Sequence, residues 1–512
     1  MRKCLCLLLA AVLALGCPVC RAADESSFTF GMVFESGAVI NPLYCNQRDL
    51  MSVNELVFES VIALDETLKP VGELALSWER SEQDKKEIVF HLRDNVRFHD
   101  GTYLSAQDVL ASYNRILSIG SASPYYSRCS YITSMTVEGA DACDLRVTGK
   151  YDSYLTLYAM TFPVLQRSSL DMNLPTGTGP YWYMYSDTEW IQLDANPYWW
   201  KKAAVVDTVY VLRYNETGDS LVALTSGEVD AVPTRSQNAA LGRLLNDRIS
   251  VDYSTCTYEM LIPNLRGERF GDIRTRQAIM YALDTDTIAQ NIYMGMVMES
   301  EVPVITGSWI YEPQSAVYYE SPERAYQLLE EAGWGDYDGD GILDRVVDGI
   351  LVQLDFTILT CVDDAAATRQ RAALLIADQL AALGIRVEVK VVSKAGLEKS
   401  LKNGDFDMVL CGINMSLLPD LTFLLDSSGR MNYSGYISGE MDQALRAVYH
   451  SADETAFRTN MSRIQTLTAL DLPFMGLFFR KGTLMTTADV TGLNAIVEGD
   501  VLKGFEYIDF LD

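Results

Sequence analysis

Three kinds of side chain in this 512-residue sequence could do chemistry. The first is histidine. There are three, His91, His99 and His450, and His99 stands directly before Asp100. A catalytic imidazole needs an orienting carboxylate and a nucleophile or metal beside it. No H-E-x-x-H, G-x-S-x-G or G-x-x-x-x-G-K-[ST] motif supplies that context. His99 therefore reads as scaffold, no catalytic residue is assigned, and no motif asks for a cofactor. The second is aspartate in "DYDGDGILD". Asp336, Asp338 and Asp340 take positions 1, 3 and 5 of a calcium loop, Gly341 position 6 and Asp344 position 9. Position 12, where an EF-hand carries a bidentate Glu, is Val347. The plain reading is a polar Asp-Gly turn between helix and strand, with structural calcium as the alternative. The third is cysteine. Six lie in the body of the chain, Cys45, Cys129, Cys143, Cys256, Cys361 and Cys411, none in a C-x-x-C pair. With so few histidines they make no zinc framework. Cys361 with Cys411, and Cys129 with Cys143, are candidate disulfides or simply buried thiols.

The elements that position these residues can be read from periodicity. Ile88, Phe90 and Leu92 alternate with Val89, His91 and Arg93, which predicts a strand. Asp100-Gly101 is turn chemistry. Ser105 and Asp108 form a capping box, and Val109, Tyr113 and Ile116 continue one helical face. Further on, "LVQLDFTILTC" (Leu351 to Cys361) alternates like a strand. "TRQRAALLIADQLAALG" is an amphipathic helix ending at Gly384, and "IRVEVKVVS" is a second strand. Another helix and the strand "FDMVLCGINM" complete a βαβαβ unit, hence a parallel sheet. With strand order 2-1-3, ligand binds beyond the carboxyl ends of the first and third strands, at Thr360–Val362 and Cys411–Asn414.

Length predicts two or three domains, and the composition is that of a globular protein. A formal net charge of −28 excludes partners that present a polyanion, so no nucleic acid is expected. The N-terminus starts "MRK" and continues with an apolar stretch, Cys4 to Gly16, too short to anchor in a bilayer. Residues 1–23 therefore read as an export signal. "ALGC" makes Cys17 a candidate lipidation site, and "CRA" offers cleavage after Ala22 instead. A lipid on Cys17 would be the only membrane contact, and the mature protein is extracytoplasmic.

"FHLRDNVRFHDGTYLSAQDVLASYNRIL" closely resembles the signature of the family 5 extracellular solute-binding proteins, the peptide, dipeptide and nickel receptors of bacterial ABC importers. The resemblance runs in order through "LKPVGELALSW", "GTGPYWY", "LDANPYWW", "ALTSGEVDAV", "IRTRQAIMYALD", "YYESPERAYQLLEEAGW" and "NYSGYISGEMDQAL". It implies a two-lobed α/β fold of the type II, hinge-closing, periplasmic-binding-protein kind, with an extra subdomain. Lobe I is expected at 24–44, 170–265 and 473–512, the inserted subdomain at 45–169 and lobe II at 266–472. The resemblance also implies that the aromatics of "NPYWW" and "GTGPYWYMY" are mainly scaffold.

What the resemblance implies for function is a receptor rather than an enzyme. A small solute, expected to be a peptide, is captured between the lobes and handed to a permease and ATPase by a protein acting as a monomer. The expected contacts are Glu35 and Ser36 past the first strand, Tyr258 near the lobe crossing, Asn414, Ser416 and Asp420 after the last strand of the βαβαβ unit, and Tyr433. Many peptide-binding members carry W-x-x-D-Y-x-D-P here, the first Asp pairing with the peptide ammonium. In "CGINMSLLPDL" that Asp is Ser416, leaving Asp420 as a substitute from a shifted position. Other readings are a nickel chelate or oligosaccharide as solute, a surface sensor or adhesin, and, least favoured, an exported hydrolase with a carboxylate pair.

Overall fold

The computed structural model describes residues 27–139, 143–237, 248–362, 364, 366–487, 490–493, 499 and 501–510. Residues 1–23, expected as an export signal, and Cys17 with them, lie outside the described residues. An eleven-stranded sheet is the spine of the molecule. Its strands in chain order are β1 (Ser27–Val33), β2 (Tyr181–Ser186), β3 (Trp190–Ala195), β4 (Thr208–Tyr214), β5 (Ala231–Thr234), β6 (Arg248–Pro263), β7 (Val297–Glu299), β8 (Asp355–Cys361), β9 (Arg386–Val392), β10 (Met408–Asn414) and β11 (Met475–Thr487). They lie side by side in the order β9-β8-β10-β6-β11-β5-β1-β4-β3-β2, with β7 beside β11.

The order β9-β8-β10 is the 2-1-3 arrangement expected of the βαβαβ unit, with β8 parallel to both neighbours. One element differs. The run Leu351 to Cys361 is not one strand. Ile350–Gln353 pairs back on Asp344–Val347 as a hairpin, and β8 begins only at Asp355. Between them the Leu354 N–H turns to the Leu343 carbonyl at 2.6 Å, and the fully buried Leu354 side chain joins the core. Alternation continues across such a break, so periodicity alone does not reveal it. The helix after β8 spans Thr368–Ala381, and Gly384 adopts φ +80°, as a helix-ending glycine should.

Residues 75–149 contain a separate four-stranded antiparallel sheet, ordered Ala75–Arg80, Glu87–Leu92, Asp144–Gly149, Ile132–Glu138. The Ser105/Asp108 capping box is present and starts the helix Ala106–Ile119. His99 is buried and bridges this region to "GTGP". Its Nδ1 accepts from the Gly177 N–H at 3.2 Å, and its Nε2 lies 3.3 Å from the Gly179 carbonyl. Both ring nitrogens are thus used by backbone, which is a structural role. Burial pushes its pKa down to about 4. A folded-state pKa below the unfolded value near 6.5 means that the unfolded chain binds the proton first. His99 therefore contributes stability above pH 6.5 that is lost as pH falls towards 4, at about 1.4 kcal/mol per pH unit. Between pH 6.5 and pH 5, urea unfolding is expected to show the wild type losing about 1.5 kcal/mol relative to His99→Gln.

The segment that follows this sheet packs on the loop at Trp309 and on the junction between the helices Gly439–Val448 and Glu454–Asp471. The Tyr154 N–H donates to the Ser451 carbonyl at 2.7 Å, and Trp309 Nε1 donates to the Tyr158 hydroxyl at 2.8 Å. Tyr151 stacks on Tyr449 at 4.3 Å between ring centroids.

Candidate functional site: a basic cleft at the strand ends

Two long strands, β6 and β11, run through the middle of the sheet and carry the chain between its two halves. β6 pairs with β10 through Thr257–Pro263 and with β11 through most of its length. Their ladder is broken where Ser254 opposes Lys481 and Tyr258 opposes Phe479, so Thr255, Cys256 and Thr257 face Arg480 alone. Such a bulge bends a strand and re-aims its side chains. Beside it opens the largest cleft described, about 730 Å³, a volume that suits a small organic ligand or short peptide. Its walls are the carboxyl ends of β8 and β10 (Cys361, Val362, Cys411–Asn414), the bulge residues Thr255 and Thr257, and, from the other side, Arg48 and Arg235. The cleft therefore stands at the topological switch point that the strand order predicts.

Seven cationic side chains line it, Arg48, Arg235, Arg369, Lys394, Lys402, Arg480 and Lys481, against one carboxylate, Glu398. In a chain of net charge −28 this is a local reversal of sign. Part of it is neutralised from below. Glu259 on β6, fully buried, accepts from Arg369 Nε at 2.8 Å and Nη2 at 2.9 Å, and from Arg480 Nε at 2.6 Å. Arg369 comes from the first turn of the helix after β8, and Arg480 from the β11 side of the bulge. This triad ties β6, β11 and the βαβαβ unit together at the cleft floor. It crosses β10 at Gly412, where a Cβ would stand 2.3 Å from Arg369 Nη2 and 2.8 Å from Glu259 Oε1, so any larger residue there would have to displace the Arg369–Glu259 contact.

The residues expected from sequence divide as follows. Asn414 and Tyr433 line the cleft, and Asn414 Oδ1 accepts from the Thr257 hydroxyl at 3.0 Å. Ser416 and Asp420 line a smaller, mostly apolar neighbouring cavity with Tyr158, Met461 and Phe479. Asp420 is already engaged. It accepts from the hydroxyls of Tyr131, of Tyr449 at 2.8 Å and of Thr422 at 2.6 Å, and from the Thr422 N–H. That set fills its acceptor sites, so it does not replace the missing ammonium partner in this arrangement. Glu35 and Ser36 sit on an exposed turn past β1 and are not among the cleft-lining residues.

Tyr258 is placed differently from the expectation. Its side chain is fully buried between Phe474 and Phe479, with its hydroxyl on the Ser300 carbonyl at 3.1 Å. The reason is strand parity. Successive residues of a strand face opposite sides, so with Thr257 towards the cleft Tyr258 faces the core. The ring passes over Gly476, where a Cβ would lie 1.7 Å from the Tyr258 hydroxyl. Tyr258→Ala is accordingly expected to cost about 3–5 kcal/mol of folding stability through the cavity it leaves. Denaturant unfolding measures this, and an unchanged midpoint would contradict the burial.

Among the described residues the six cysteines form no disulfide. Cys361 and Cys411 lie two residues beyond the paired Leu359 and Val409 on adjacent parallel strands, and both line the cleft. Burial pushes the Cys411 thiol up to about 12, so it stays protonated. The aromatics of "NPYWW" are scaffold in this structure. Trp199 and Trp200 donate to buried Glu59 at 3.2 and 3.0 Å, and burial, with Glu73 nearby, raises the Glu59 pKa to about 7. A second cavity of about 370 Å³ adjoins this cluster and contains no residue of β6, β8, β10 or β11.

The fold and the cleft define a two-lobed α/β protein with a ligand-sized opening at its strand ends. Residues 69–434 match the family described as bacterial extracellular solute-binding proteins, family 5 Middle, and the chain belongs to that family. It is 24% identical over 475 residues to the oligopeptide-binding protein AppA of Bacillus subtilis, covering 89% of this chain and 86% of that one. Among solved structures, the nickel ABC transporter protein of Bacillus halodurans superposes with a TM-score of 0.82 at 19% identity, over 94% of this chain and 100% of that one. The periplasmic murein tripeptide binding protein MppA, in an unliganded open form, gives 0.81 at 18% identity, over 95% and 98%. These likenesses establish the two-lobed type II fold.

Proposed function

We propose that this protein is the extracytoplasmic receptor of an ABC importer and captures short peptides through their carboxylate end in the basic cleft. The carrying observation is the cationic lining of the cleft, seven basic side chains beside Glu398, of which Arg369 and Arg480 already pair with Glu259 and Lys481 lies 4.0 Å from Asp252. With Asp420 engaged and Ser416 in place of the family's aspartate, Glu398 is the one carboxylate among the described cleft-lining residues that a peptide ammonium could meet. A ligand carboxylate, in contrast, finds guanidinium and ammonium groups on both walls. Thr255, Thr257 and Asn414 add neutral partners for a peptide backbone. The halves close about the β6/β11 bulge, bringing Arg48 and Arg235 towards Lys394, and ligand shifts the population to the closed form. In this reading a permease recognises that form, residues 1–23 direct export, Cys17 carries the anchoring lipid, and the receptor acts as a monomer.

Calorimetric titration with tri- to pentaalanine tests the anchoring. The free acids are expected to bind at least tenfold more tightly than the C-terminal amides, and N-acetylation is expected to change little. Equal binding of acid and amide would overturn the carboxylate anchor. The same cationic walls favour a second ligand, an anionic metal chelate. None of the three histidines lines the cleft, so such a metal would arrive with its own chelator.

A further inference from the structure

We propose that the loop Asp336–Asp344, remote from the cleft, is a calcium site. Asp336, Asp338 and Asp340 each place a carboxylate oxygen within 4.8 Å of the others. Three like charges that close repel one another unless a cation lies between them. The loop is shaped to keep them together. Asp336 accepts from the N–H groups of Gly339 at 2.8 Å and Gly341 at 3.1 Å, Asp338 from Asp340 N–H at 3.1 Å, and Asp340 from Ile342 N–H at 2.9 Å. Gly341, the sixth loop residue, has φ +84°, the left-handed turn required at this position of a calcium loop.

The independent observation is Asp344. It is the ninth loop residue, and a ninth-position ligand in such loops often acts through water. Its side chain is fully buried, and neither carboxylate oxygen has a hydrogen-bond partner. A buried carboxylate left that way is costly, unless a cation or its water supplies the missing partner. Its direction follows from the hairpin. Asp344 is the cross-strand neighbour of Gln353, so both side chains share one face. The Gln353 amide reaches Asp340 Oδ2 at 2.8 Å, which puts that face against the aspartate cluster. The backbone of Asp344 also closes the loop by a two-way bridge to Gly335, at 2.9 and 2.7 Å, next to Asp336.

Oxygen-only ligands on a flexible loop select calcium over transition metals. Without a bidentate Glu at position 12, where Val347 stands, the site belongs with weak extracellular modules, at a Kd of about 10⁻⁴–10⁻³ M. Bound ion would pin the hairpin Asp344–Gln353 to the helix Pro322–Glu331 that precedes the loop.

The test is calorimetric titration of CaCl2 into the chelator-treated protein at fixed ionic strength, with thermal unfolding in 5 mM CaCl2 or MgCl2. The wild type is expected to bind one calcium and to unfold about 2 °C higher in CaCl2 than in MgCl2. Asp338→Asn/Asp340→Asn, which alters only exposed side chains, should weaken calcium binding at least tenfold and abolish the difference. Asp344→Asn, read by the same titration, should also weaken it. Failure of the wild type to bind calcium at 5 mM, or equal binding by the exposed double variant, would overturn the proposal in favour of a plain Asp-Gly turn with diffuse counterion screening.

Discussion

Replacing Glu259 with alanine is expected to lower folding stability by about 3–5 kcal/mol, the range for breaking a buried ion pair from one side. Glu259 is fully inaccessible, and the side chains of its partners Arg369 and Arg480 are only 13% and 22% exposed. The loss comes less from the vanished contacts than from two guanidiniums left in a site that solvent barely reaches. Arg480 also has its Nη1 3.7 Å from Asp364, and Arg369 holds Glu259 through two hydrogen bonds. Glu259→Gln keeps the shape and accepts some of the hydrogen bonds, so it should fall between wild type and alanine. Urea unfolding at pH 7 measures all three. A loss below about 1 kcal/mol for alanine would mean that the triad is far more hydrated than its burial implies. Because the triad joins β6, β11 and the helix after β8, its loss should also loosen the hinge.

The second large effect concerns binding. Arg48 and Lys394 stand on opposite walls of the cleft, and both are exposed. Exposed substitutions away from packed features change stability little, within about 0.5 kcal/mol. Arg48→Glu/Lys394→Glu should therefore fold normally, yet it replaces two attractive partners of a ligand carboxylate by two repulsive ones. Losing one partner of a desolvated charge pair costs about 2–5 kcal/mol of binding. The double variant is expected to weaken free-acid peptides by about 100-fold or more, since each tenfold is about 1.4 kcal/mol. It should leave amidated peptides nearly unaffected. Equal weakening of both would place the ligand's charge elsewhere.

The parts of this molecule that were legible in the sequence are those governed by local pattern. The Ser105/Asp108 box, the helix ending before Gly384 and the parallel βαβαβ unit of β8, β9 and β10 follow from capping and periodicity, and the structure arranges that unit in the 2-1-3 order. The strand order in turn points to Thr360–Val362 and Cys411–Asn414, and of these all but the fully buried Thr360 line the cleft. The parts that were not legible depend on contacts between distant segments. Asp420 was a reasonable ligand group until Tyr131, 289 residues away in sequence, was seen to occupy it. The cationic walls draw on Arg48, Arg235, Arg369, Lys394 and Arg480, which no single stretch displays together. Tyr258 is expected at the cleft because it lies near the lobe crossing, but the alternation of β6 turns its side chain to the core. If the strand offers Thr255 and Thr257 to the cleft, its neighbour cannot face the same way.

The central claim is that this cleft holds a peptide by its carboxylate, and native mass spectrometry of the protein as purified tests it most directly. The account predicts one-to-one adducts whose masses fragment as short peptides, absent from the Arg48→Glu/Lys394→Glu variant prepared in parallel. A retained ligand without a carboxylate, such as a neutral oligosaccharide, or peptide adducts undiminished in the variant, would contradict it.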